Sequence, residues 1–295
     1  MPQARSPTLR RRELGARLRT LRLERGLTVE QVAERLLCSP SKVARMESGQ
    51  RGATMRDVRD LCQLYGVTDQ SQVDLLMDLV REGKQQAWWQ SHELDYFATY
   101  VGLEQAATTL SYYQSTIIPG LLQTVEYAQA MYAASLPAEF TPERVDELID
   151  VRLRRQQVLD REPPLQLRAV LDEAVLHRVV GGPAVMSAQL RHLKEAANMS
   201  NVTLQVIPYE AGAHPAMDNM FTILEFGAAA PSVVYVEGLM GWLYIEREHE
   251  VSRYVQVFEH LCSVALDPQE TIKLISGIGS QYNSRPRSGP SCSLD

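Results

Sequence analysis

At 295 residues the chain exceeds one small domain, and its 45% hydrophobic and 22% charged residues are those of an ordinary globular protein with a second, larger unit. It holds no apolar run long enough to cross a bilayer, and its arginine-rich amino terminus is followed by no apolar segment. A membrane partner and a secretory leader are therefore not expected, and a cytoplasmic, nucleoid-associated location is. The net charge of −6 speaks against nucleic acid only as a total: residues 1–66 carry fourteen Lys/Arg against seven Asp/Glu, and the remainder sixteen against twenty-nine. A basic small unit of net +7 can neutralise phosphates, while an acidic body of net −13 repels them and confines the contact to one face.

Residues 1–8 read as a flexible N-terminus and 9–68 as a helical domain. Arg10, Arg11, Arg12, Arg17, Arg19, Arg22 and Arg25 lie on or before the first helix. Such a run fits a solvated helix face and a phosphate-contacting face equally well. Thr28 is placed to cap the second helix, and Gln31, three residues on, to reach back to the cap amide. Val32, Ala33 and Leu36 share one face of that helix. Cys38 then occupies a turn, and Ser39 with Pro40 supplies a cap and a pre-set first residue for a third helix. On this helix Val43 and Met46 fall on one side, leaving Ser41, Lys42, Ala44, Arg45 and Ser48 on the other.

The spacing of Val32, Ala33, Leu36, Cys38, Val43 and Met46 resembles the buried positions of the helix-turn-helix in phage-repressor-like, Xre-type regulators. Met46–Gly49 resembles the close of their recognition helix. The resemblance covers about residues 10–66 and implies a five-helix domain that reads double-stranded DNA. By position, Pro40, Ser41 and Arg45 stand where such proteins place base-reading side chains, with Lys42 able to reach a base or a phosphate. Arg45 leads, because an Arg can bridge both acceptors of a guanine edge, worth about 1–3 kcal/mol of discrimination. Gln50, Arg51 and the start of the second helix, at Thr28 and Gln31, are placed for phosphates, as is the cap Ser39. One position departs from the pattern: the turn residue that is often Gly is Leu37, which at positive φ carries a strain of about 1 kcal/mol.

A helix over 55–65 closes the small domain at Gly66. Residues 69–94 read as a connecting helix and linker, and 95–280 as an α+β domain, making the whole mainly α with a smaller α+β part. Helices are expected over about 95–110, 124–134, 141–160, 183–199, 248–264 and 268–277. Strands are expected over Leu165–Leu171, Val202–Ile207, Phe221–Phe226, Val233–Glu237 and Leu243–Glu246, runs rich in β-branched and aromatic residues. Residues 281–295, with Ser, Pro, Gly and Arg interleaved, read as a disordered tail.

Ile118–Thr124 with Tyr127 and Ala128, Arg152–Gln157, Val170–Arg178 with Gly181 and Gly182, Met186 with Gln189 and Leu190, Leu204–Pro208, and Val234–Glu237 together resemble the antitoxin-like WhiJ-type regulators of Streptomyces development. This resemblance spans nearly the whole chain. It implies a transcription regulator, a repressor in the main, whose second domain responds to a small protein encoded by a neighbouring gene. Within that domain Pro119 and Gly120 read as a turn before a helix. Arg155 and Gln156 fit either a cleft or ordinary ion pairs and hydrogen bonds.

Enzyme chemistry is the competing class. His249 and Glu250 begin like a zinc-protease helix, but the second His, one turn on, is Arg253. His214 fits a turn or a small-molecule pocket, and Asp172 with Glu173 fits an acid–base pair or acids favoured at a helix start. Cys38, Cys62, Cys262 and Cys292 have no paired spacing, and Cys38 and Cys62 fit small core residues better than a redox pair. No catalytic residue, metal or cofactor is expected, and the chain reads as not an enzyme. The expected partners are an inverted-repeat operator, a second copy of the chain and the neighbouring gene product. The alternative is a small metabolite held by the second domain, where Met217–Leu224 with Met240, Trp242 and Tyr244 fit an apolar pocket or plain core; hydrolytic activity is more remote.

Overall fold

The computed structural model describes residues 6–84, 88–91, 97–135, 141–238 and 241–284. Contacts divide the chain into two units, one ending at Ala106 and the other beginning at Ala107.

In the first unit the starts of the helices that open at Val29, Pro40 and Met55 are written locally. Thr28 and Thr54 close capping boxes with Gln31 and Asp57, and Ser39 caps the helix that Pro40 opens. The helices are α1 (Pro7–Glu24), α2 (Val29–Arg35), α3 (Pro40–Glu47), α4 (Met55–Tyr65), α5 (Gln70–Gly83) and α6 (Phe97–Ala106). Leu14, Leu18, Val32, Val43, Met46 and Leu61 meet in one core, each fully buried aliphatic chain contributing about 1.5–3 kcal/mol.

Three boundaries differ from expectation. Residues 6–8 are not a flexible lead: Ser6 donates from its hydroxyl to the Gly102 carbonyl at 2.7 Å, and Pro7 and Thr8 are buried at the start of α1. Residues 70–83 are not a connector. Leu76, Met77, Leu79 and Val80 of α5 complete the core against α1 and α4, which is why α5 is amphipathic rather than uniformly polar. And α6, expected to open the second domain, belongs to the first unit, where a side chain at Gly102 would begin 2.1 Å from the Thr8 hydroxyl.

The second unit is built on one mixed sheet of strands β1 (Thr109–Gln114), β2 (Gln166–Asp172), β3 (Val202–Ile207), β4 (Phe221–Glu225), β5 (Val233–Gly238) and β6 (Gly241–Ile245), in the order β3-β2-β1-β4-β5-β6. The first three run parallel and the last three antiparallel, with Tyr113 opposite both Val170 and Phe221. The helices are α7 (Val125–Ser135), α8 (Pro142–Gln156), α9 (Ala174–His177), α10 (Pro183–Ala196), α11 (Glu248–Val264) and α12 (Pro268–Ser284); α9, α11 and α12 pack on the strands, α10 on α12 and α7, and α7 on α8. Tyr113, Val170, Phe221, Ile223 and Val234 form one face, covered by Val251, Phe258 and Leu261 of α11.

The central strand β1 falls partly within the helix expected over 95–110, which stops at Ala106. Leu110, Ser111, Tyr112 and Tyr113 are all buried, so the strand lacks the alternation that marks a half-exposed one. Residues 281–284, expected in the tail, continue α12, where Tyr282 donates to the Leu176 and His177 carbonyls. The rest of the expected tail, from residue 285, lies outside the described residues, as do 85–87 and 92–96.

Candidate nucleic-acid interface

The turn between α2 and α3 is set by backbone geometry at Leu37. Its φ is 51°, and its N–H bonds the Glu34 carbonyl while the Cys38 N–H bonds that of Ala33. These two bonds are the Schellman closure that ends α1 at Gly26 with the same pairing, Leu27 to Arg22 and Gly26 to Leu23. At Gly26 the left-handed residue has no Cβ to clash; at Leu37 it does. The expected strain is therefore present, and the leucine side chain is 95% exposed, so no packing offsets it.

Past the turn, Val43 and Met46 anchor α3 in the core while Ser39, Pro40, Ser41 and Arg45 face out. Arg45 lies along its own helix, donating from Nε to the Ser41 carbonyl at 3.2 Å and from Nη2 to the Ser41 hydroxyl at 3.4 Å. The Ser39 and Ser41 hydroxyls are 3.1 Å apart, and Ser39 Oγ accepts the Lys42 N–H at 3.2 Å. Lys42 does not join this outward set. Its ammonium lies 2.6 Å from Asp57 Oδ1, with 27% of the Lys42 side chain and 16% of the Asp57 side chain exposed. Burial opposes ionisation of Asp57, but hydrogen bonds from Lys42 and Thr54 outweigh it and hold the carboxyl below its usual range.

Thr28 and Gln31 are exposed at the start of α2 and engage each other: the Thr28 N–H donates to Gln31 Oε1 at 2.9 Å and the Gln31 N–H to Thr28 Oγ1 at 3.2 Å. Gln50 and Arg51 are exposed beyond α3, and the Arg51 N–H folds back onto the Arg45 carbonyl at 3.0 Å. The structure thus brings Ser39, Pro40, Ser41, Arg45, Gln50 and Arg51 onto exposed positions of α3 and its flanks.

The run of arginines on α1 separates into different roles. Arg22 forms a two-pronged pair with Glu47, Nε to Oε1 at 2.7 Å and Nη2 to Oε2 at 2.9 Å, and donates to the Leu27 carbonyl at 2.8 Å. Both side chains are under a tenth exposed. Burial and the Glu47 carboxylate push the neighbouring Tyr65 hydroxyl well above its usual value. Arg12 is buried, Arg10 pairs with Glu13 and Glu82, and Arg25 donates to the Gly66 carbonyl. Arg17, paired with Glu13 at 3.1 Å, and Arg19 keep exposed side chains. Sequence reasoning missed the Arg22–Glu47 clamp, whose one signal is that Arg22 shares the face of Leu14 and Leu18 on α1. Gly15 completes this seam: a Cβ there would stand 2.4 Å from the Glu47 carbonyl oxygen and 2.5 Å from that of Met46.

In the second unit, residues from scattered motifs meet. Gln123 donates to the Ile118 carbonyl at 2.6 Å and accepts from Arg152, which also donates to the Tyr132 hydroxyl at 2.6 Å. Gln156 donates to the carbonyls of Gly120 and Gln123, and Gln189 accepts the Thr124 N–H while donating to the Leu122 carbonyl, both at 2.7 Å. Gln123, Arg152, Arg155 and Gln189 are buried, so these polar groups hold a loop in place rather than line an open surface.

At the carboxyl ends of β1 and β2, His214 Nε2 lies 3.3 Å from the Tyr113 hydroxyl and 3.9 Å from Asp172 Oδ2, while Nδ1 accepts the Ala216 N–H. Burial, then the Asp172 charge, push the Tyr113 hydroxyl up to about 12. Asp172 also caps Ala174, and Glu173 accepts from the Tyr209 N–H and pairs with His177. Of the apolar stretch near 220, Phe221, Ile223 and Leu224 are core, whereas Met217 and Trp242 are exposed; Met240 lies outside the described residues. Cys38, Cys62 and Cys262 are free thiols; Cys292 lies outside the described residues. Among the described residues no group of three or more His, Cys, Asp or Glu is placed to hold a metal ion, and no helix is long and apolar enough to cross a membrane.

Residues 13–76 match a helix-turn-helix domain, and residues 97–277 match a family described as a domain of unknown function, DUF5753. No curated protein and no solved structure matches the chain. The DUF5753 match covers more than half of the sequence; the chain belongs to that family, and carries ahead of it the helix-turn-helix of a DNA-binding regulator.

Proposed function

We propose that the protein is a sequence-specific transcription regulator, a repressor in the main, that binds an inverted-repeat operator as a homodimer in the cytoplasm. The observation that carries this reading is the outward face of α3: Ser41 and Arg45 stand exposed on a helix anchored by Val43 and Met46, in a stretch of net charge +7. Among the described residues the Arg45 side chain is held by Ser41 of its own helix, a contact a base edge can replace. Exposed Arg51, with Gln50, supplies sequence-independent phosphate contact. Gel-shift titrations of the full chain test this. Arg45→Ala is expected to lose the preference for operator over scrambled duplex, whereas Arg51→Ala weakens both and flattens the salt dependence. An Arg45→Ala protein that keeps full selectivity would overturn the docking.

The second unit, in this proposal, is the responding module, and the WhiJ-type resemblance makes its partner a small protein encoded nearby. The gathering of Gln123, Arg152, Gln156 and Gln189, all from the motifs that carry the resemblance, supports treating it as one module. A small metabolite is the second reading. It is favoured by Tyr113, Asp172 and His214 at the carboxyl ends of parallel strands beside the point where the sheet turns antiparallel, a place where open sheets bind ligands. Native mass spectrometry separates the two: a retained small ligand in the purified protein supports the metabolite, and a stoichiometric complex formed only on adding the neighbouring gene product supports the protein. The proposal contains no catalytic step, since Asp172 and Glu173 are engaged in holding backbone.

A further inference from the structure

We infer that Asp57 is a positioning residue for operator recognition, acting through Lys42, and that Lys42 makes no phosphate contact. The inference rests on the DNA-binding reading above and assigns the division of labour within its recognition helix.

Lys42 is held at both ends. Its N–H donates to the Ser39 hydroxyl at 3.2 Å and its ammonium to Asp57 Oδ1 at 2.6 Å, fifteen residues along the chain and on a different helix. The same carboxylate closes the first turn of α4: Asp57 Oδ2 accepts the Thr54 N–H at 2.9 Å and the Thr54 hydroxyl at 2.7 Å, while Thr54 Oγ1 accepts the Asp57 N–H at 3.0 Å. One side chain therefore starts α4 and ties down the first turn of α3.

Arg45 offers the contrast. Its donors rest on the carbonyl and hydroxyl of Ser41 in the same helix, neutral acceptors that water or a base edge can replace at little cost. Lys42 sits instead on an ionised acceptor, in a short charge-assisted bond. Moving the ammonium to a phosphate would leave a partly buried carboxylate uncompensated beside a polyanion. The ion pair thus neutralises Asp57 near DNA and sets the height and rotation at which Ser41 and Arg45 are presented.

The test uses the full chain. An operator is first selected from a random duplex pool, and affinities for it and for a scrambled duplex are then measured across a salt series for the wild type, Lys42→Met, Lys42→Arg, Asp57→Asn and Arg51→Ala. Asn at 57 retains an acceptor for Thr54, and thermal melts confirm that each variant is folded. Lys42→Met and Asp57→Asn are expected to lower the operator-to-scrambled ratio about tenfold. Lys42→Met keeps the wild-type salt slope, and Lys42→Arg, which can still reach Asp57, restores the ratio. Arg51→Ala, the internal standard for a phosphate contact, lowers the slope by about 0.9. A Lys42→Met protein that loses slope as Arg51→Ala does, with its ratio intact, overturns the inference while leaving DNA binding standing. A wild type that enriches no duplex overturns the DNA-binding reading and this inference with it.

Discussion

Leu37 holds a left-handed backbone at φ 51° with its side chain 95% in solvent, in a closure that Gly26 makes elsewhere without a Cβ. Leu37→Gly should therefore raise the unfolding free energy by about 0.5–1 kcal/mol once the added freedom of the unfolded chain is set against the relieved strain. Urea unfolding followed in the helical unit measures it, and a loss of stability would show that the strain at this turn is smaller than the entropy a glycine adds to the unfolded chain. Arg22 and Glu47 make the opposite case. Removing one partner of this buried pair strands the other, so Arg22→Met should cost about 3–5 kcal/mol, and Arg22→Met with Glu47→Met should recover much of it. At this scale the sequence was readable wherever a residue acts on its near neighbours. Thr28 with Gln31, Ser39 with Lys42, and the strained Leu37 are all local. The Lys42–Asp57 and Arg22–Glu47 pairs are not, because each joins residues on different helices, and a lysine or arginine in a basic run looks the same whether it faces solvent or a carboxylate.

Helix placement depends on contacts of the same long-range kind. Gly15 lets α1 settle against the carboxyl end of α3, where an added methyl would stand 2.4–2.5 Å from two carbonyl oxygens that cannot rotate away. Gly15→Ala should destabilise the helical unit by about 1–3 kcal/mol or more, and should shift α3 enough to lower operator affinity beyond the loss of fold. Thermal melts paired with gel shifts separate the two effects. Helix α5 was visible in the sequence as a helix but not as part of the core, since periodicity reveals an apolar face without naming what covers it. Leu79→Ala should accordingly cost about 2–5 kcal/mol, a penalty that a solvent-bridging connector would not show. Strand β1 was hidden for a related reason. Buried on both faces between β2 and β4, with Ser111 as buried as Leu110 and Tyr112, it shows no alternation of polar and apolar residues directly after a helix, and only pairing defines it.

For the whole molecule, charge and symmetry set the expectations. The basic residues concentrate in the first 66 positions and the acidic ones beyond, so affinity for any duplex should fall linearly in a log–log plot against salt even though the chain as a whole is negative. The proposed dimer should protect two half-sites centred about 10–10.5 base pairs apart, or a multiple of that, in a hydroxyl-radical footprint. A single protected half-site would argue for a monomer. Those expectations were legible from composition and motif, whereas the partition of the chain into units was not. The switch from helical to mixed architecture carries no Pro/Gly-rich seam, and α6 has the composition of either side.

The position of α6 has a consequence for how such chains are recombined. The family match begins at Phe97, yet Phe97–Ala106 folds with the helical unit, where Gly102 receives the Ser6 hydroxyl and lies against Thr8. Kinship and folding therefore divide the chain at different residues. A chimera joined at residue 96 would pair the first helix of one protein with the sixth of another, and would inherit whatever mismatch separates its Thr8 from a foreign residue 102. Grafts joined after Ala106 keep that seam intact, so exchange of signal-responding modules between relatives should succeed there and fail ten residues earlier.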